Sequence, residues 1–157
     1  MFLNNLHSRR NRRVAMAVAA VSACSAWFPG ATVRAADYTW VPTAGGSYDW
    51  GLASNWNPAG PPNSNSDSAN LSIAMTGNQT ISLGADYTVA TLTLGSTGAP
   101  VVTHIATTGG AKLILEGGGG TASLVSNGVP GAVNRIAATI QLSSLLQLEA
   151  SSTNDLT

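Results

Sequence analysis

Few side chains of this 157-residue chain could carry out chemistry. Beyond Ala36 the chain has one histidine, His104, no cysteine and seven scattered carboxylates. His104 has no Ser and Asp partners at a recognisable spacing, so a nucleophilic triad is not supported. The glycines at 117–120 precede neither a Lys-Ser/Thr pair nor a helix, so they predict a corner between strands and not a phosphate loop. The sequence therefore predicts a protein that is not an enzyme, with no catalytic residue and no cofactor.

The carboxylates could serve two other kinds of site. Glu116 and Glu149 could form the pair for glycoside hydrolysis, which needs two carboxyl groups roughly 5 to 9.5 Å apart. Both follow strand patterns and precede turn residues, which favours exposed strand ends. Asp49, Asp67 and Asp86 could bind Ca²⁺, but calcium loops cluster their carboxylates in sequence. These three are far apart and are predicted to be solvated or turn-capping acids, so no metal site is predicted.

Three of the four tryptophans, Trp40, Trp50 and Trp56, lie close together in the sequence. Their ring faces could stack on the apolar faces of sugars and so bind carbohydrate. Alternatively, the rings pack as a cap over the first turn of strands and shield an otherwise open strand edge. The Gly and Pro turns around them favour the cap, and the sugar platform remains the second possibility.

Charge is divided unevenly along the chain, although the formal net charge is +0. Five of the six arginines precede Ala35, whereas all seven acids lie beyond Ala36. Lys112 and Arg135 are the basic residues of that second part, which is therefore net acidic. Nucleic acids and anionic membrane surfaces are bound by clustered Lys and Arg, so neither is predicted as a partner.

Residues 1–36 have the pattern of a secretory signal peptide. Four arginines lie between positions 9 and 13, and residues 14–28 form an apolar run that Pro29 and Gly30 end. Small residues then predict cleavage after Ala35 or Ala36. The run is shorter than the roughly 18 residues of a membrane-spanning helix, so the mature chain is predicted to lack a membrane span. The predicted location is extracellular or at the cell surface, reached through a Sec-type signal.

Cys24 offers a minority alternative to simple secretion. The residues 21–24 resemble a bacterial lipobox, in which the cysteine would be lipidated and become the new N-terminus. The apolar core before Cys24 would then be short, which favours the later cleavage site. Cleavage there removes Cys24 and leaves a mature chain without disulfides, despite its export.

The chain after the signal segment has two parts that differ in composition and pattern. Residues 37–72 are rich in Trp, Gly and Pro and show no helical period, which predicts a cap segment of short strands and ordered loops. Residues 73–157 alternate apolar residues with Thr, Ser and Gln, as at 89–94 and 112–115, and Gly, Asn and Ser clusters separate these runs. This alternation is typical of half-buried strands, and the one helix-like stretch, 132–148, also favours strand. The sequence therefore predicts an all-β protein.

Two all-β architectures fit this pattern. A β-sandwich needs bulky inward residues on two faces, but the second segment has a single aromatic residue, Tyr87, among Leu, Ile, Val and Ala. Narrow stacked coils bury such aliphatic columns, with Gly, Asn and Ser at the corners. We therefore predict a right-handed parallel β-helix, or β-solenoid, with a Trp-rich cap, and keep the β-sandwich as the alternative. About three or four coils would fit, and the chain stops at Thr157 in mid-alternation, so it resembles the first part of a longer protein.

A spaced pattern runs through residues 40–72. It comprises Trp40, Gly45-Gly46, Asp49-Trp50, Ala53, Asn55-Trp56, the Pro and Gly residues at 58–62, and Asp67-Ser68-Ala69. This pattern resembles the opening module of autotransporter-associated β-strand repeat proteins, which are large exported bacterial proteins that often end in a PEP-CTERM-type sorting tail. Residues 81–95 and 136–157 are similar to that family's first coil and to the run that leads into its repeats. The resemblance implies export and a β-helical stalk, and it implies no catalytic residue.

Together these features predict an exported, non-enzymatic structural protein, similar to an adhesin, whose partners are surface polysaccharides or other cell-surface components. Two alternatives remain open. The first is a carbohydrate-binding module that uses Trp40, Trp50 and Trp56. The second is the N-terminal part of a β-helical polysaccharide-degrading enzyme whose catalytic residues would lie beyond Thr157.

Overall fold

The computed structural model describes residues 35–150 of the chain. Most of the predicted signal segment, including Cys24, and residues 151–157 lie outside this range. Ala35 and Ala36, the predicted cleavage residues, directly precede the first strand. Within the described range there is no helix with the length and apolarity that a membrane crossing requires.

Twelve β-strands and one short 3₁₀ turn make up the described part of the chain. The strands are β1 (Asp37–Trp40), β2 (Gly46–Asp49), β3 (Trp56–Asn57), β4 (Ser64–Ile73), β5 (Gln79–Leu83), β6 (Tyr87–Ser96), β7 (Val102–Thr107), β8 (Lys112–Leu115), β9 (Thr121–Ser126), β10 (Val133–Ile136), β11 (Thr139–Leu142) and β12 (Leu145–Ala150). The 3₁₀ turn spans Ala53–Asn55. The prediction of an all-β protein is confirmed, and the helix-like stretch 132–148 forms strands.

The strands arise where apolar and small polar residues alternate. Successive side chains of an extended chain point to opposite faces, so alternation buries one face and leaves the other partly exposed. On β6, Leu92 and Leu94 are buried, whereas Thr91 and Thr93 are half-buried on the outer face. Thr and Leu at alternate positions therefore produce a strand with one solvent-facing side and one buried side.

The strands form two sheets. In the larger sheet β3, β1, β4 and β6 follow one another, and β6 is continued by both β8 and β9, which pair with β11 and β12 respectively. The smaller sheet has the order β2, β5, β7, β10. The pairing of β3 with β1 is antiparallel, and the other pairings in both sheets are parallel. From β4 to β7 the chain passes from one sheet to the other at each successive strand.

Parallel pairing in register stacks similar side chains into columns. In the larger sheet Ala69 pairs with Leu92, and Leu92 pairs with Leu124. In the smaller sheet Ile81 pairs with Ile105. All five side chains are buried and belong to one hydrophobic cluster that draws on both sheets. A parallel β-helix and a β-sandwich both bury a core of this kind between two sheets.

Side-chain hydrogen bonds also join strands that are neighbours in a sheet but far apart in sequence. In three places an oxygen of the residue directly before a strand accepts a backbone N–H at the start of the next strand in the same sheet. The pairs are Asn63 Oδ1 with Thr88 N at 2.9 Å, Asn78 Oδ1 with Val102 N at 2.8 Å, and Asp86 Oδ1 with Lys112 N at 2.8 Å. Because these bonds join β4 to β6, β5 to β7 and β6 to β8, they favour the observed register over a slipped one.

Gly95 lies near the end of β6, close to the backbone of Asn127, which follows β9. Its φ is +151°, and a Cβ built at this position would overlap the backbone carbonyl of Asn127. We expect Gly95→Ala to lower the free energy of unfolding by about 2 kcal/mol or more, because backbone must move to accept the methyl group. Urea unfolding followed by far-UV circular dichroism measures this change.

Gly84→Ala is the matched control for this substitution. A Cβ at Gly84 meets no atom within 4 Å. The control is expected to leave the free energy of unfolding unchanged or to raise it by about 0.5 kcal/mol. Equal losses from Gly84→Ala and Gly95→Ala would contradict the close approach at Gly95.

Candidate functional site

The tryptophan cluster predicted from the sequence lies at the first strands of both sheets. Trp40 ends β1, Trp56 begins β3, and Trp50 directly follows β2. Their exposed fractions are 1%, 2% and 0%, respectively. The fold thus brings together three residues from separate parts of the chain and removes all of them from solvent.

The three indole rings pack edge to face. The ring centroids of Trp40 and Trp56 are 4.9 Å apart at an interplanar angle of 75°, and those of Trp50 and Trp56 are 4.8 Å apart at 66°. Tyr38 and Tyr48 extend the cluster by further edge contacts with Trp56 and Trp40. Such pairs stabilise by about 0.5–1.5 kcal/mol each beyond the area they bury.

Each indole N–H donates a hydrogen bond inside the protein. Trp40 Nε1 donates to Gln79 Oε1 at 2.8 Å, Trp56 Nε1 to the Trp50 carbonyl at 2.7 Å, and Trp50 Nε1 to the Pro62 carbonyl at 3.4 Å. Because buried polar groups are costly unless paired, these bonds allow complete burial of the three rings. We call Trp40, Trp50, Trp56 and Gln79 the cap cluster.

Gln79 is the polar centre of the cap cluster, and its exposed fraction is 1%. Besides accepting from Trp40, its Nε2 donates to the carbonyls of Pro42 and Ala44, both at 2.8 Å. One side chain therefore holds β1 and the loop after it against β5. Sequence reasoning missed Gln79, although its parity with the buried Ile81 on the same strand places it on the inner face.

The burial of the rings bears on the two interpretations of the tryptophans. A sugar that stacks on an aromatic ring needs an exposed ring face, and Trp40, Trp50 and Trp56 present none in this structure. Stacking on them would require the cap cluster to open. The observed packing and the satisfied indole N–H groups agree with the cap interpretation.

Tyr87 packs beside the cap cluster, with its ring centroid 5.9 Å from that of Trp50. Burial, and then the nearby Asp49 carboxylate, raise the pKa of the Tyr87 phenol above its ordinary value. The phenol is therefore uncharged at neutral pH and packs as a neutral ring. A Cβ on Gly51 would collide with the Tyr87 hydroxyl, so glycine at that position permits the packing.

The three aspartates considered for Ca²⁺ lie on separate elements: Asp49 ends β2, Asp67 lies in β4, and Asp86 directly precedes β6. Each accepts a backbone N–H: Asp49 from Gly51 at 2.8 Å, Asp67 from Asn63 at 3.0 Å, and Asp86 from Lys112 at 2.8 Å. Across residues 35–150 there is no group of three or more His, Cys, Asp or Glu side chains that could hold a metal ion. The Asp49 and Asp67 bonds are local, reaching two and four residues along the chain, whereas the Asp86 bond joins two strands of the larger sheet.

The remaining candidate residues are Glu116, Glu149 and His104, and each has different neighbours. Glu116 accepts from Asn65 Nδ2 at 3.3 Å, and Glu149 accepts from Gln147 Nε2 at 2.6 Å. His104 lies on β7 in register with Thr80 and Arg135. Its Nε2 is buried and has no hydrogen-bond partner among the described residues. The two glutamates accept from different donors, and no hydrogen bond joins His104 to a Ser or Asp among the described residues.

Comparison with protein-family models, with curated proteins and with solved structures gives no match to this chain.

Replacing Gln79 tests the hydrogen bonding of the cap cluster. Gln79→Glu keeps the shape and can still accept from Trp40, but a carboxylate cannot donate to the carbonyls of Pro42 and Ala44. We expect the free energy of unfolding to fall by about 3 kcal/mol at pH 7, because a buried charge then faces two carbonyl oxygens. Part of the loss should be recovered at lower pH, where the carboxyl group is protonated.

The control for this substitution is Thr80→Glu, one residue along β5, where the side chain points outward. It should change the free energy of unfolding by less than about 0.5 kcal/mol. Chemical denaturation of both variants at pH 7 and pH 5 makes the measurement. A Gln79→Glu protein as stable as the original chain would show that Gln79 does not hold the cap together.

Proposed function

We propose that this chain is an exported, non-enzymatic structural protein of the cell surface or extracellular space. In this proposal residues 37–72 are the cap of a parallel β-helical stalk, and the strands from residue 73 onward are its first coils. The observation that carries the proposal is the parallel pairing of strands in both sheets, as in β4 with β6 and β5 with β7.

The pairing pattern favours a β-helix over the alternative β-sandwich. Sandwich sheets are built mainly from antiparallel strands joined by hairpins and Greek-key connections. Here the strands that pair in parallel are not consecutive in the chain, and at least one strand between the members of each pair lies in the other sheet. A chain that coils about one axis produces this order, because each return to a sheet adds a parallel neighbour.

The two ends of the strand ladders differ in a way that suits a stalk. At the first end, the short antiparallel strand β3 and the cap cluster cover the ladder, and stacked repeats need such a terminal cap. At the other end Leu142 and Leu148 are 54% and 61% exposed. They pair with the buried Leu115 and Leu124 and so continue the core columns. Further coils would bury them.

An unpaired polar atom at the end of the smaller sheet also agrees with the presence of further coils. Asn134 lies on β10, the last strand of the smaller sheet, and is 1% exposed. Its Nδ2 donates to Ser126 Oγ at 2.9 Å, but its buried Oδ1 has no partner among the described residues. A strand added beside β10 could supply a donor to this oxygen.

Export is inferred from the sequence. The arginines, the apolar run and the small residues before Asp37 form the pattern of a secretory signal. The chain beyond it is low in charge and lacks cysteine, and the resemblance to autotransporter-associated repeat proteins agrees with a surface location. We infer surface polysaccharides or other cell-surface components as the partners of such a stalk.

The two alternatives gain no support from the described residues. The tryptophan rings offer no exposed face for a sugar, and the two candidate glutamates bind different neighbours. The structural role is therefore the function that we propose.

Export is tested by expressing the full chain, with its own N-terminus, in a bacterium that has the Sec pathway. We expect the protein outside the cytoplasm, with a mature N-terminus at Ala36 or Asp37, as determined by mass spectrometry. Combined Ala35→Leu and Ala36→Leu substitutions should block this cleavage, because signal peptidase requires small residues there. Ala31→Leu, outside the predicted cleavage position, is the matched control.

An intact chain that begins at Met1 and stays in the cytoplasm would contradict the export proposal. A lipid-modified N-terminus at Cys24 would retain export but replace secretion by membrane anchoring.

A further inference from the structure

A shallow groove of about 420 Å³ lies on the outer face of the larger sheet. Polar side chains from three neighbouring strands line it: Asp37 and Thr39 of β1, Ser68 and Asn70 of β4, and Thr91 and Thr93 of β6. We call this surface the hydroxyl groove. It lies on the opposite face of the sheet from the buried core columns.

The register of the strands arranges these six side chains as a grid. Asp37, Ser68 and Thr91 form one row across the strands, and Thr39, Asn70 and Thr93 form the next row. Neighbouring strands in a sheet are about 4.8 Å apart, and alternate residues of one strand are about 6.6 Å apart. Each strand therefore presents the same pair of polar positions at a regular interval.

The polar groups of the grid are available for a ligand. The side chains of Thr39, Ser68, Thr91 and Thr93 make no hydrogen bond with other described residues. Asn70 Oδ1 accepts from the Ser72 N–H at 2.9 Å, which leaves its amide N–H groups free to donate. Five of the six side chains are half-buried in the groove, and Asp37 is exposed.

We propose that the hydroxyl groove binds a neutral, linear, β-1,4-linked polysaccharide chain that runs across the strands. A polymer that repeats its hydroxyl groups at regular intervals can bond in the same way to each successive strand. A β-1,4-linked chain is extended and flat, so it can follow a shallow groove, whereas an α-1,4-linked chain curls away from it.

Charge and surface chemistry narrow the ligand class further. Asp37 is the one charged side chain among the residues that line the groove, and none of them is basic. An anionic polysaccharide would therefore meet a carboxylate and no cation, which disfavours it. Binding through neutral hydrogen bonds is expected to be weak, with a Kd of about 1 mM.

This inference rests on the proposed function in one respect, since a surface protein is exposed to such polymers. Binding in the groove can be measured on purified protein, however, so a failure of export and a failure of binding are distinguished.

The test is an NMR titration of the ¹⁵N-labelled full chain with cellohexaose, a soluble β-1,4-linked hexasaccharide. We expect saturable shifts at the backbone amides of Ser68, Thr91 and Thr93 and at the side-chain amide of Asn70. Maltohexaose, its α-1,4-linked counterpart, should bind at least about tenfold more weakly. Absence of shifts at about 10 mM cellohexaose, or equal binding of both sugars, would overturn the proposal.

Variants assign the binding to the groove. The double variant Thr91→Val and Thr93→Val removes two hydroxyl groups but keeps β-branched side chains of similar shape. Affinity for cellohexaose should fall about tenfold, with an unchanged melting temperature. Ser68→Ala, a smaller change on the neighbouring strand, should weaken binding severalfold and serves if the double variant fails to fold.

Thr80→Val is the matched control, because Thr80 lies on the outer face of the smaller sheet, outside the groove. It should bind cellohexaose as the original chain does. If Thr80→Val weakens binding as much as the groove variants, or if the groove variants bind normally, the hydroxyl groove is not the site.

Discussion

Parallel pairing between strands that are not consecutive in the chain is the constraint on which the rest of this structure depends. It aligns Ala69, Leu92 and Leu124 into a column, and so the core consists of stacked aliphatic side chains. A slip by one residue would exchange the inner and outer faces of a strand. The side-chain bonds from Asn78 and Asp86 to the next strand in their sheets oppose such a slip. The same register places polar side chains in rows on the outer faces, which is the origin of the hydroxyl groove.

The cap cluster resolves the problem that a parallel ladder has at its first strand. An uncovered edge presents unpaired backbone groups and apolar side chains, which favour aggregation. Here β3 pairs antiparallel with β1, and the tryptophans are buried in the hydrophobic core beside them. Gln79 connects this cover to the first full passage of chain through its three hydrogen bonds. At the opposite end of the described residues, the leucines at 142, 145 and 148 are exposed, so the two described ends are chemically different.

Local pattern predicted the strands better than it predicted their partners. The alternation at 89–94 and 112–115 lies within β6 and β8, and the glycines at 117–120 form the predicted corner between β8 and β9. These features depend on neighbouring residues, so they can be read along the chain. The individual strands of residues 37–72 were not predicted, because frequent Gly and Pro obscure alternation there. Gln79 and Asn78 were missed because their partners are distant in sequence, and only the register of the sheets brings them together.

Duplication of one coil tests the central claim most directly, since a chain that coils about an axis can accept one more turn. A second copy of residues 79–102, inserted directly after Val102, places each new strand on its own parent strand, because Gln79 pairs with Thr103. The account predicts a folded protein of the same far-UV circular dichroism per residue, with a melting temperature at least equal to that of the original chain. The same insertion shortened by one residue should fail, because the strands that follow the missing residue would exchange their inner and outer faces. Unfolding or aggregation of the full-length duplication, or equal tolerance of both insertions, would contradict the account.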